Sequence, residues 1–196
     1  PGFSQAWTLT RLGDIGRTYG GLTGKSKADF GRGDARYVTF MNVMTNVRTS
    51  LDALESVRIA PSESQNMVQP GDLLFNGSSE TPEEVALCSW VESCESDVFL
   101  NSFCFGFRPF VPDRMSGLFM AYFFRARPGR TAVSSLAQGA TRYNIAKTAL
   151  LKASLNLPSF EEQKAIAETL SSMDTELSAL ESRLTKARAL KQAMAQ

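Results

Sequence analysis

The sequence predicts an α+β protein: a domain of short strands and helices over residues 1–157, then one long C-terminal coiled-coil helix over 158–196. Three observations carry this reading. Apolar residues make up 43% of the 196, which is ordinary for a folded domain and enough for a sizeable core. Ahead of residue 158, short apolar runs are separated by turns containing Gly, Pro and Asn, the punctuation of short elements. Behind it, Ile166, Leu170, Met173, Leu177, Leu180, Leu184 and Ala187 recur at alternating steps of four and three, with no Gly or Pro after Ser159.

Taken in order, Trp7 to Leu12 alternates as a strand does and Gly13-Asp14 ends it. The glycine-rich loop Tyr19-Gly20-Gly21-Leu22-Thr23-Gly24-Lys25-Ser26 nearly spells a phosphate-binding loop. That motif wants Gly where Tyr19 stands and a helix directly after it. Asp29 to Asp34 has loop chemistry instead, so a nucleotide site is not expected. Arg36 to Val43 has strand composition, and Ser50 to Glu63 is ambiguous, with room for a short helix before Pro61. Leu73-Leu74-Phe75 reads as a short buried strand launched by the turn at Pro70-Gly71-Asp72 and followed by the polar loop Asn76 to Pro82. Ala86 to Val91 and Val98 to Phe107 read as two further strands, the second long. Met115 to Arg125 is an apolar helix closed by Pro128-Gly129; Asn144 caps a short helix to Leu150; Leu151 to Leu157 alternates as a last strand.

Ser159 followed three places later by Glu162 forms a capping-box pattern that starts the long helix. Its 3.5-residue repeat keeps one apolar seam facing a partner helix. Lys191 interrupts the seam and Met194 resumes it. An isolated helix cannot bury such a seam, so the tail predicts a partner.

Net charge is +1, but it is segregated: residues 41–105 hold two basic and ten acidic groups, residues 106–158 eight basic and one acidic. Such segregation suggests a surface that meets a polyanion; the alternative is mutual neutralisation within the fold. Cys88, Cys94 and Cys104 lie in or beside apolar runs and read as reduced thiols of a cytoplasmic protein. The chain has no His, which excludes imidazole-based nucleophilic catalysis and leaves zinc only an unusual Cys-plus-carboxylate site. A nuclease built from Asp113 and Glu162-Gln163-Lys164 is disfavoured because Glu162 already has a capping role. No glycine-rich cofactor loop paired with a Pro-Pro-aromatic loop supports a methyltransferase. The reading is of a protein without a catalytic site, cofactor or metal.

Several motifs occur in a characteristic order: Trp7 with Leu12-Gly13-Asp14-Ile15, Gly21-Leu22-Thr23, Tyr37-Val38, Gly71 to Phe75, Phe99 to Ser102, and Gly139 to Arg142. They end in Leu157-Pro158-Ser159-Phe160-Glu161-Glu162-Gln163-Lys164-Ala165-Ile166-Ala167. In this order they resemble the DNA specificity subunit of type I restriction–modification systems, as one target-recognition domain plus one helical region. The resemblance implies a mixed-sheet α+β recognition domain and a non-catalytic subunit that directs methyltransferase, and with it restriction, subunits to a bipartite double-stranded DNA target. It also implies a long helix that pairs antiparallel with a second one. A complete member carries two such units, so this chain is expected to be either a half-subunit that homodimerises or one half of a longer subunit. Phosphate contacts would come from the basic segment, including Arg108, Arg125, Arg127 and Arg130. Base readers would come from the loops: Thr23 and Lys25, then Asn76, Ser78 and Ser79, then Arg142 and Tyr143. Turn chemistry is the alternative for each of these. The partner helix would meet Ile166, Leu170, Met173, Leu177, Leu180, Leu184, Ala187 and Met194. The rival reading is a coiled-coil assembly protein whose domain binds protein rather than DNA.

Overall fold

The structure, a computed structural model, describes residues 6–111 and 114–194. Its first and last strands, β1 (Thr8–Arg11) and β11 (Ser154–Leu157), pair antiparallel, so the domain closes just before the long helix begins. At the centre is an antiparallel sheet in the order β2 (Gly16–Gly20), β9 (Cys104–Pro109), β5 (Leu73–Asn76), β7 (Cys88–Trp90). A second sheet orders β4 (Leu54–Val57), β3 (Phe30–Val38) and β8 (Val98–Leu100), with β3 antiparallel to β4 and parallel to β8. The fold is thus α+β with strands of mixed orientation, as expected.

The continuous apolar run in β5 follows from burial on both faces. Leu73 and Phe75 point into a core shared with the helices, where Phe75 meets Phe105 at 5.4 Å and Phe124 at 5.0 Å between ring centroids. Leu74 points the other way, against Val38, Val98 and Leu100 of the second sheet. One residue of register slip would exchange the two sets.

The helical layer is α3 (Gly117–Arg125), α4 (Arg127–Ser134) and α5 (Lys147–Lys152). Ser116 caps α3, its Oγ accepting from Phe119 N at 3.3 Å. Arg125, at the end of α3, donates to the carbonyls of Cys88, Met44, Val43 and Asn46. Arg130 donates to those of Val85, Ala86 and Phe124. Two guanidinium groups thereby satisfy carbonyls that would otherwise be stranded inside the domain.

Asp72 ties the central sheet together. Its carboxylate, fully buried, accepts from Tyr19 Oη at 2.6 Å, Gln69 N at 2.8 Å, and Arg108 Nε and Nη2 at 2.8 and 2.7 Å. Burial and the adjacent carboxylate hold the Tyr19 hydroxyl far above its ordinary pKa, so it stays a donor.

The long helix α6 runs Phe160–Met194. Gln163 fixes its start, accepting from Ser116 N at 3.0 Å and donating to the Pro158 carbonyl at 2.9 Å. Ala167 is buried against the domain core, and Tyr122 donates to Asp174 at 2.6 Å. From Ser172 onward every described residue is exposed. Ile166, the first residue of the predicted seam, packs instead against the domain core, whereas from Met173 onward the seam is uncovered: Leu177 is 56% exposed and Leu184 51%. The helix protrudes with its apolar stripe unpartnered.

Several local expectations differ. Residues 40–43 are helix α2 (Phe40–Thr45) rather than strand, because Thr39 Oγ1 caps Asn42 N at 3.1 Å and Arg125 satisfies the far end. The loop-like Asp29 to Asp34 lies largely in β3, whose pairing shifts register between Phe30 and Ala35; an irregular strand looks like a loop in sequence. Residues 54–57 are strand, not helix. The long strand 98–107 is broken by a turn at residues 101–103. Pro128 stands in the first turn of α4, where its missing N–H costs nothing, instead of closing α3's neighbourhood. Asn144 sits in a short strand, and α5 begins at Lys147. All three cysteines are free; Cys88 and Cys104 are buried, and burial pushes the Cys104 thiol up to about 12.

Replacing Asp72 with Ala should strip Arg108 and Tyr19 of their buried acceptor and cost about 3–5 kcal/mol in urea unfolding. The double variant Asp72→Leu with Arg108→Met should recover most of that loss, since it leaves no unpaired charge behind.

Candidate nucleic-acid interface

The three glycine loops singled out in the sequence converge on the turn that breaks the expected long strand. In the first loop, Gly21 N donates to Cys104 O at 3.3 Å and Leu22 N to Leu100 O at 2.8 Å. In the second, Gly77 N donates to Phe103 O at 2.8 Å. The third is stitched to the second: Ile145 N donates to Gly77 O at 3.1 Å, while β10 (Tyr143–Asn144) pairs antiparallel with β6 (Ser78–Ser79). The turn itself is fixed by Asn101 Oδ1, which accepts from Phe103 N at 2.9 Å.

Close approach explains the glycine at position 21. A β-carbon there would lie 2.0 Å from the Asn101 carbonyl oxygen, a contact backbone cannot relieve. The first loop can lie flat on the turn only without a side chain at that point.

Between the loops is an open cleft of about 590 Å³, lined among others by Thr23, Ser78, Ser102, Phe103, Asn144 and Lys147. Among the described residues no carboxylate lines it. Phe103 stands at its rim, 58% exposed, with the Arg142 guanidinium 5.5 Å from its ring centroid. The Ser78 hydroxyl is buried without a hydrogen-bond partner among the described residues. A second cleft, lined by Asp34, Glu63, Gln65 and Asp97, carries the opposite charge. The segregation seen in sequence is thus partly resolved into one acidic cleft and one cleft free of acid.

The predicted contact residues divide accordingly. Thr23 and Ser78 line the acid-free cleft, Arg142 reaches its rim through Phe103, and Tyr143 belongs to the strand that joins two of its loops. Thr23 is held by Gln65, whose Oε1 accepts from Thr23 N at 3.1 Å and whose Nε2 donates to Thr23 O at 2.9 Å. Lys25 turns away, pairing with Glu63 and donating to Arg58 O. Asn76 is fully buried and supports its own loop, donating to Ser78 O and Glu84 O and accepting from Leu87 N. Ser79 donates to Glu84 at 3.0 Å. Among the basic residues, Arg108, Arg125 and Arg130 are committed to Asp72 and to interior carbonyls; Arg127 is exposed but does not line the cleft. The half-buried guanidinium groups of Arg108, Arg125 and Arg130 thus hold the scaffold with the donors that phosphate contacts would use.

Phe103 was missed, whereas Lys147 belongs to the basic 106–158 segment expected to supply phosphate contacts. Asn101-Ser102 was a legible turn signal inside the supposed strand, and it would have exposed Phe103. Of the nuclease pair, Asp113 lies outside the described residues, and Lys164 pairs with Glu161 at 2.8 Å on the helix surface. The phosphate-loop resemblance also ends here, because Ser26 caps a 3-10 turn at Lys27–Asp29 that leads into β3.

A family model described as "Type I restriction modification DNA specificity domain" matches residues 5–187. Comparison with curated proteins finds no match. Among solved structures, the type I restriction–modification S subunit from M. genitalium is similar over 92% of this chain and 42% of that one, with TM-score 0.58 and 17% identity. The HsdS subunit from Thermoanaerobacter tengcongensis gives TM-score 0.61 over 92% and 40%, at 17% identity. A structure described as addressing complex assembly and conformational transition of the type I system gives 0.60 over 92% and 41%, again at 17% identity. The likeness is one of fold, and this chain spans about two fifths of each of those proteins.

Gly21→Ala should push the first loop off the turn, costing about 1–3 kcal/mol of stability. Hydrogen exchange should show the Leu22 amide losing protection first, while β5 amides keep theirs.

Proposed function

Because the chain belongs to the type I restriction–modification DNA specificity family, we propose that it reads DNA sequence on behalf of methyltransferase subunits, and restriction subunits where present, and catalyses nothing itself. The observation that carries this reading is the convergence of three loops on one open, acid-free cleft at the end of a rigid sheet. Loops held by a scaffold are where reading side chains belong. In this reading the target is bipartite double-stranded DNA and the protein works in the cytoplasm.

The protruding helix supplies the second half of the proposal. Its uncovered seam pairs antiparallel with the helix of a second copy, so that two identical domains stand apart on the DNA. A helix of 35 residues is about 52 Å long at ~1.5 Å per residue. That exceeds one turn of DNA, about 34–36 Å. Two identical readers related by a two-fold axis would select a palindrome interrupted by unspecified bases. The helix also offers the methyltransferase a place to dock.

Methylation mapping after co-expression with the cognate methyltransferase tests this. An interrupted palindrome is expected; an asymmetric motif would overturn the homodimer, and no motif at all would overturn DNA reading in favour of a domain that binds protein. Independently, Leu177→Asp with Leu180→Asp should turn a dimer into a monomer in sizing with light scattering. The circular dichroism of the domain and its melting should stay unchanged, because neither residue touches the core.

A further inference from the structure

We infer that Arg142, whose guanidinium lies over the Phe103 ring, is the residue that reads a guanine in the target, and that Phe103 is the positioning residue that aims it. This rests on the DNA-reading function proposed above and goes further by naming the reader and the base.

Arg142 differs from Arg108, Arg125 and Arg130, and unlike the exposed Arg127 it reaches the rim of the cleft. Arg108, Arg125 and Arg130 spend their donors inside the domain. Arg142 is exposed and has no carboxylate within ion-pair distance among the described residues. It is nevertheless not loose. Gln138 and Asn144 exchange two backbone hydrogen bonds of 2.8 Å across the base of its loop. Gly139, at φ +136, packs so tightly under the Arg142 carbonyl that a β-carbon would lie 2.1 Å from that oxygen. Asn144 Nδ2 donates to the same carbonyl at 3.3 Å.

The ring beneath it is equally fixed. Phe103 is held at its amide by Asn101 and at its carbonyl by Gly77. A single exposed Phe is common on protein surfaces. This one stands where three loops meet and carries a guanidinium on its face. A guanidinium over a ring is held by the charge of the ring's face and spends no hydrogen-bond donor on it, so the contact limits where the group can go and leaves its donors available.

A guanidinium is a fork of parallel donors. Among base edges in the major groove, guanine alone offers two acceptors, O6 and N7, in the matching geometry. Lys147, which lines the same cleft, is a compact point charge suited to a phosphate.

The experiment is methylation mapping of the full chain with its methyltransferase, comparing the unaltered chain with Arg142→Ala, Arg142→Lys, Phe103→Ala and Phe103→Tyr. The unaltered chain should give a motif with a G·C pair at a fixed place. Arg142→Ala should relax that position alone, lowering its preference for G·C by roughly 5- to 150-fold while the other positions hold. Arg142→Lys should fail to restore it, because an ammonium lacks the fork. Phe103→Ala should weaken selectivity at the same position and Phe103→Tyr should rescue it, with melting temperatures unchanged throughout. Uniform weakening across all sequences would show a phosphate contact and overturn the inference, as would a motif without G·C or a position indifferent to Arg142. If the unaltered chain gives no motif, DNA reading itself falls, and this inference with it.

Discussion

Everything at the reading end depends on the buried carboxylate of Asp72. It lies where β5 begins, accepts four hydrogen bonds, and draws them from β2 through Tyr19, from β9 through Arg108, and from its own turn through Gln69. A charge so deep is costly to desolvate, and its place is secure only because its acceptors are filled and a guanidinium lies alongside. Arg108 in turn stacks on the Tyr19 ring at 4.9 Å. The ends of β2, β5 and β9 run directly into the first glycine loop, the second glycine loop and the 101–103 turn. Asp72 and Arg108 hold β5 and β9 at the ends far from the loops while Tyr19 holds β2 beside its own loop, so one carboxylate ties together the three strands whose backbones meet there.

Much of this was legible in the sequence where side chains speak for themselves. The apolar run at Leu73 to Phe75 announced a doubly buried strand, and the heptad seam announced a long helix with one face unpaired. The glycine loops stood out individually. What sequence could not show is that they are one site, because their meeting is made by backbone bonds across 123 positions of chain, from Leu22 to Ile145. Nor could composition separate the two uses of arginine. Arg125 and Arg142 look alike in a charge count, yet the first satisfies four carbonyls inside the domain and the second lies open at the rim.

That division revises how the charge pattern should be understood. The basic segment 106–158 suggested a phosphate-gripping surface, and the bland alternative was internal neutralisation. The structure shows a third outcome for several of these residues: their positive charge faces neutral carbonyl oxygens, and burial makes the protonated form of Arg125 harder to hold. Arginine serves there as a many-pronged donor more than as an ion. The acid-free cleft keeps its electrostatic character from what is absent from its walls as much as from Arg142 and Lys147.

The backbone stitching of the loops has a consequence for how such a domain can change. Gly21, Leu22, Gly77 and Ile145 are anchored through amide and carbonyl groups, and at Gly21 and Gly77 the frame also demands that no β-carbon be present. Thr23, Ser102 and Arg142 are carried on that frame without being its fasteners. Side chains at the tips can be exchanged at little cost to folding, so that new preferences can arise one position at a time. The domain thereby separates what must stay fixed from what is free to vary.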